Sequence, residues 1–85
     1  MTPNDLRRRV KQRPFKPFRM VVSEGATYDI THPEQIIIAR DSVGIGLPSE
    51  SDEFYEGFVV VDLLHVVRLE PLNGKPAKPK KASGG

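Results

Sequence analysis

The chain has 85 residues, no cysteine and a formal net charge of +2. That length allows one domain at most, the missing cysteines exclude a disulfide staple, and no apolar run approaches the ~20 residues of a membrane span. The lack of cysteine fits a reducing compartment, and the basic N-terminus lacks the apolar stretch of a secretory signal, so a cytoplasmic location is expected.

The near-neutral total hides a sorting of charge along the chain. Residues 1–19 carry seven Lys/Arg against Asp5, a net of +6. Residues 20–70 carry Arg40 and Arg68 against ten acids, a net of −8, and residues 71–85 add four lysines and no acid, a net of +4. A basic arm, an acidic body and a basic tail point to contacts between chains or with polyanions.

Thr2 is placed to cap a first helix, with Pro3 at its first position and Asp5 in its first turn, near the positive end of the helix dipole. Leu6 and Val10 form a thin apolar stripe at i, i+4, while Arg7, Arg8, Arg9, Lys11 and Arg13 fill the remaining positions. Pro14 predicts an end at about Gln12–Arg13. So short a helix is not stable alone and must dock. In Arg13-Pro14-Phe15-Lys16-Pro17-Phe18 the prolines set an extended path, so that Phe15 and Phe18 tie the arm to the body or, on the sharper reading, form a peptide-binding or base-stacking surface.

From Phe18 the pattern becomes that of strands. Phe18, Met20 and Val22 alternate with Arg19, Val21 and Ser23, Glu24-Gly25 turns, and Ala26, Tyr28 and Ile30 alternate with Thr27, Asp29 and Thr31, which predicts a hairpin. His32-Pro33-Glu34 breaks the ladder because proline has no donor. Gln35–Arg40, containing Ile36-Ile37-Ile38-Ala39, reads as a strand covered on both faces. In Val43–Leu47, Gly44 and Gly46 fall on one face, where they permit sharp bending or leave room for another backbone. Residues 48–57 read as a polar, acidic loop and Phe58–Val61 as a strong strand. Asp62–His65 reads as a single helical turn capped by Asp62, and Val66–Glu70 as the last strand. Residues 73–85, rich in Lys, Pro, Ala and Gly, read as a disordered basic tail behind a single domain spanning 1–72.

The expected fold is mainly β: a short N-terminal α-helix, then a five-stranded, strongly bent antiparallel sheet or small barrel that closes to protect its edges. This order, with a tight turn before the last strand, resembles in topology the Sm-like (Hfq-type) small barrel over residues 3–70. The Tyr-Lys-His signature of Hfq-type proteins is absent, so the resemblance assigns His65 no ligand role. Arg13–Arg19, Gly25, Tyr28–Ile30, His32–Glu34 and Asp62–Val66 also resemble the pattern of a group of short, uncharacterised bacterial proteins, which implies no particular activity.

No catalytic signature is present: there is no phosphate loop, no paired metal motif, and no Ser/His/Asp order with a glycine elbow. A non-enzymatic protein without cofactor, metal or evident small-molecule substrate is expected. His32 reads as ordering a loop through its ring, His65 as a packed or interface histidine, and the acids of 48–57 as solvated rather than as a calcium site. A small hydrolase would rest only on the two histidines and scattered acids, and two other functional readings rank above it. The first is an oligomerising interaction module, a homo-oligomer in which the acidic body docks a neighbour's basic arm or tail. The second is an RNA- or DNA-binding protein, taking RNA or single-stranded nucleic acid on Arg7, Arg8, Arg9, Lys11, Arg13, Phe15, Lys16, Phe18 and Arg19. The acidic body repels nucleic acid over a Debye length of about 8–10 Å, which ranks self-association first.

Overall fold

The computed structural model describes residues 1–51 and 53–72; the tail assigned to 73–85 lies outside the described residues. One helix, α1 (Pro3–Val10), precedes six strands: β1 (Phe18–Val22), β2 (Thr27–Ile30), β3 (Ile36–Ile38), β4 (Ser42–Pro48), β5 (Tyr55–Asp62) and β6 (Val66–Pro71). Short 3-10 turns at Pro33–Gln35 and Leu63–His65 stand before β3 and β6.

Helix α1 starts as its capping residues dictate. The Thr2 hydroxyl accepts a hydrogen bond from the Asp5 backbone N–H at 3.1 Å, with Pro3 in the first turn. The helix stops at Val10, capped at Lys11, two to three residues before the expected end. Its one fully buried residue is Leu6, and Val10 packs against the core beside it. Phe15 and Phe18 do tie the arm to the body. Phe18 lies wholly within the core as the first residue of β1, and the half-buried Phe15 ring sits 6.1 Å from it in a tilted arrangement.

The predicted hairpin forms as β1–β2. Gly25 adopts φ +94°, donates its N–H to Val22 O, and is followed by a bond from Val22 N–H to Ala26 O. This is a three-residue loop ending in a left-handed residue, a conformation that favours glycine. Phe18, Met20 and Val22 point inward with Ile30, while Arg19, Val21, Thr27 and Asp29 face out.

The expected five-stranded sheet or closed barrel is not what forms. The six strands divide into two antiparallel sheets of three, β2-β1-β6 and β3-β4-β5, and the expected strand count is one too few. Closure fails at two corners. Between β2 and β3 the His32-Pro33-Glu34 segment turns as a 3-10 element, since Pro33 offers no ladder donor. Between β5 and β6 the chain makes the turn Leu63–His65, so those strands follow each other without pairing. The inner faces of both sheets share one core with Leu6: Phe18, Met20, Val22 and Ile30 from one hairpin, Ile36, Val43 and Ile45 from the other sheet, and Leu63 and Val66 from the final turn.

Gln35, the sole buried polar residue described, joins the two sheets. Its Nε2 donates to Asp29 O on β2 and to Gly46 O on β4, both at 2.9 Å, and its Oε1 accepts from Thr31 N–H at 2.9 Å. A side-chain amide thus supplies the bonds that a continuous ladder through β2, β3 and β4 would have made. No buried side-chain polar atom among the described residues lacks a partner.

Three local expectations are corrected. β3 is only three residues long, and Ile37 is 62% exposed, so the isoleucine run is covered on one face rather than both. β5 begins at Tyr55, not Phe58, because Pro48 pairs with Tyr55 across a register shift and draws part of the expected loop into the sheet. Asp62 precedes the last turn but its side chain makes no capping bond.

Replacing Gln35 by Ala strands acceptors on β2 and β4 and a donor at Thr31. Leaving such groups unpaired costs about 1–3 kcal/mol each when buried, less where water reaches them. We expect Gln35→Ala to lower the urea-unfolding free energy by about 2–3 kcal/mol, and Tm by roughly 4–8 °C per kcal/mol.

Candidate interaction surfaces

The outer faces of the two sheets differ in kind. Outside β2-β1-β6 lie Arg19, Thr27, Asp29, Arg68 and Glu70, tied by Arg19 Nε to Asp29 Oδ1 at 2.7 Å and Arg68 Nε to Glu70 Oε2 at 2.8 Å. The hydrogen bond to Asp29 holds the Arg19 guanidinium above its ordinary pKa, with the charge of Asp29 adding to it. That face is a solvated, charge-paired surface.

The face outside β3-β4-β5 is apolar over its centre, with Ser42 and Asp62 paired at one end. The register sets Ile37 opposite Gly44, Gly44 opposite Val60, and Gly46 opposite Phe58. Val60 is 68% and Phe58 55% exposed, so large apolar side chains from both outer strands stand in solvent side by side. Between them the glycines of β4 serve a purpose other than bending or admitting a backbone. A Cβ on Gly44 would fall 2.5 Å from Cζ of Phe58, and one on Gly46 would fall 3.0 Å from Cδ1 of Tyr55. The two rings lie over the glycines and bury them, an arrangement that shields backbone otherwise open to water. The sequence identified the glycine face; it did not show that rings from β5 fill it, because Phe58 and Tyr55 reach it only through the register.

The nine residues expected to contact nucleic acid do not form one patch. Arg8 pairs with Asp5 at 2.7 Å, and Arg19 with Asp29. The Arg9 guanidinium lies 5.4 Å from the Phe18 ring centroid, a cation–π contact on the rim of the core. Phe18 is inside the core with no surface to offer a base, and Phe15 is spent packing against it. Arg13 and Lys16 are exposed on the arm after the helix. Arg7 and Lys11 line an open cleft of about 400 Å³ with Asn4, Val10, Ile38 and Arg40, the last a residue of the otherwise acidic 20–70 segment.

A second cleft of about 360 Å³ gathers His32, Glu34, Gln35, Ser49, Glu53 and Tyr55. The Ser49 hydroxyl is committed to its own loop: its single proton is shared between Phe54 O at 2.7 Å and Ser51 O at 3.0 Å, and its oxygen accepts from Ser51 N–H at 3.1 Å. It is therefore a loop-shaping group. His32 provides no capping bond to the turn after it, and Gln35 performs the ordering expected of the histidine. His65 is exposed, with Nδ1 3.2 Å from Ser23 Oγ, beside a backbone bond from Ser23 N–H to His65 O. Among the described residues no three His, Cys, Asp or Glu side chains are grouped as metal ligands, and no helix is long and apolar enough to cross a membrane.

Comparison with family models, curated proteins and solved structures returned no match.

Two expectations follow. Gly44→Ala should lower stability by about 1 kcal/mol by lifting the Phe58 ring. In a Phe58→Ala background the same change should cost almost nothing, which a double-mutant cycle in urea would measure. At the helix start, the carboxyl of Asp5 is held below its ordinary 3.8, first by a side-chain hydrogen bond with Thr2, with the Thr2 backbone and Arg8 contributing. A carboxyl whose folded pKa is lowered stabilises above its unfolded value, and that contribution disappears as pH falls through the folded value. The stability difference between wild type and Asp5→Asn should therefore be constant above about pH 5 and shrink as the pH drops below the ordinary carboxylate range.

Proposed function

We propose that this protein is a non-catalytic interaction module that self-associates through the apolar outer face of β3-β4-β5. The observation that carries the reading is the contrast between the two outer faces. One is laced with ion pairs, whereas the other presents Ile37, Phe58 and Val60 to solvent around ring-covered glycines. A contiguous exposed apolar surface marks an interaction site.

The occupant is a second copy of the chain. The centre of this face carries no charge, with Asp62 only at one end beside Ser42, and two-fold symmetry sets that apolar centre against itself. β5 adds a free edge, since among the described residues it pairs only with β4. The core, ten buried apolar residues among those described, is small, and domains of this size often gain stability by association. This interface differs from arm-to-body docking in its response to salt: apolar burial persists at high ionic strength, whereas charge pairing is screened.

Sedimentation or light scattering should show a discrete multiple of the 9.5 kDa chain mass that survives about 1 M salt. Val60→Lys and Phe58→Glu, both at exposed positions, should yield folded monomers by circular dichroism. A monomeric wild type across the accessible concentration range would overturn the proposal. Variants that keep the assembly intact would overturn this choice of surface.

A further inference from the structure

We propose that the cleft between α1 and the β3–β4 turn binds the phosphate group of a phosphate ester. Asn4, Arg7 and Lys11 are spaced i, i+3, i+7 and so follow one stripe of α1, and Arg40 reaches the same cleft from the turn after β3. Three cations thus meet from two separate elements, and no acidic residue lines the cleft.

These cations are uncommitted and share one cleft, whereas Arg13 and Lys16, also without an ion pair to any described residue, lie outside it. Arg8, Arg19 and Arg68 are ion-paired and Arg9 rests over Phe18. Arg7, Lys11 and Arg40 make no ion pair with any described residue. Like charges four residues apart on a helix repel each other, and a bound anion relieves that repulsion. The donor set suits phosphate: guanidinium forks bind its oxygens in pairs, the ammonium adds a point charge, and the Asn4 amide adds N–H donors. Val10, Ile38 and Ala39 supply apolar lining, and about 400 Å³ leaves room for an organic group beside the phosphate. An ester therefore fits this site better than a bare ion.

The shared chemistry has two sources, a free nucleotide-like ester or the phosphodiester of a single strand, and the site is independent of the apolar face. The test is titration of the full chain at about 50 mM salt with inorganic phosphate, a nucleoside monophosphate and a mixed single-stranded oligonucleotide, followed by amide chemical shifts. Shifts should centre on Arg7, Lys11 and Arg40. Arg40→Ala, at an exposed position, should weaken binding about tenfold or more, while Arg13→Ala and Lys16→Ala leave it nearly unchanged. Saturation by the monophosphate, with the oligonucleotide no tighter, identifies a small ester. Tighter, steeply salt-dependent oligonucleotide binding identifies a strand. Equal losses in all three variants, or no binding by any probe, would overturn the proposal.

Discussion

The structure depends on one side-chain amide. Gln35 bonds β2, β4 and Thr31 at the corner where the backbone ladder is interrupted. Proline at 33 removes a donor from that corner, and a short 3-10 turn redirects the chain. Without a replacement, carbonyls at the end of one sheet and in the middle of the other would be left facing a nearly dry interior. Gln35 answers both with one group and fixes the angle at which the sheets share their core. A buried amide is a specific connector in this setting, because only one placement of the sheets satisfies all of its bonds.

That corner also determines what the second sheet presents to solvent. With β3 cut to three residues, Ile37 has no strand or loop above it. With β5 extended back to Tyr55, two aromatic rings reach across to the glycines of β4. The consequence is a sheet whose inner face joins the core and whose outer face is apolar at its centre, between Ile37, Phe58 and Val60. The companion sheet resolves the same question with ion pairs. This asymmetry between otherwise similar three-stranded sheets is the observation on which the proposed interaction role rests.

The basic arm has a similar internal logic. Seven cations precede residue 20, but neighbours engage several of them: Asp5, Asp29 and the face of Phe18 take one each. These contacts hold the helix and the start of β1 in place. Of the cations that remain, Arg7 and Lys11 gather with Arg40 because the helix crosses near the end of β3. Net charge by segment therefore overstates the arm as a uniform polyanion-binding surface and understates one cleft beside it.

How much of this was legible in the residues follows their physics. Local rules placed the helix start at Thr2-Pro3, the Glu24-Gly25 turn, the strand alternation and the turn before β6, because each depends on neighbours a few residues apart. Alternation also grouped Phe18, Met20 and Val22 on one face and Ala26, Tyr28 and Ile30 on another, and the fold buries Phe18, Met20, Val22 and Ile30 from those faces. Tertiary structure alone decided that six strands form two sheets rather than a closed cylinder, and that Gln35 rather than His32 orders the corner. It also decided that rings from β5 cover Gly44 and Gly46, and that Arg40 joins the cations of α1. Each of these results from register or from contacts between residues distant in sequence. Period and propensity describe which side of an element a residue faces; what it meets there depends on the packing of the whole chain.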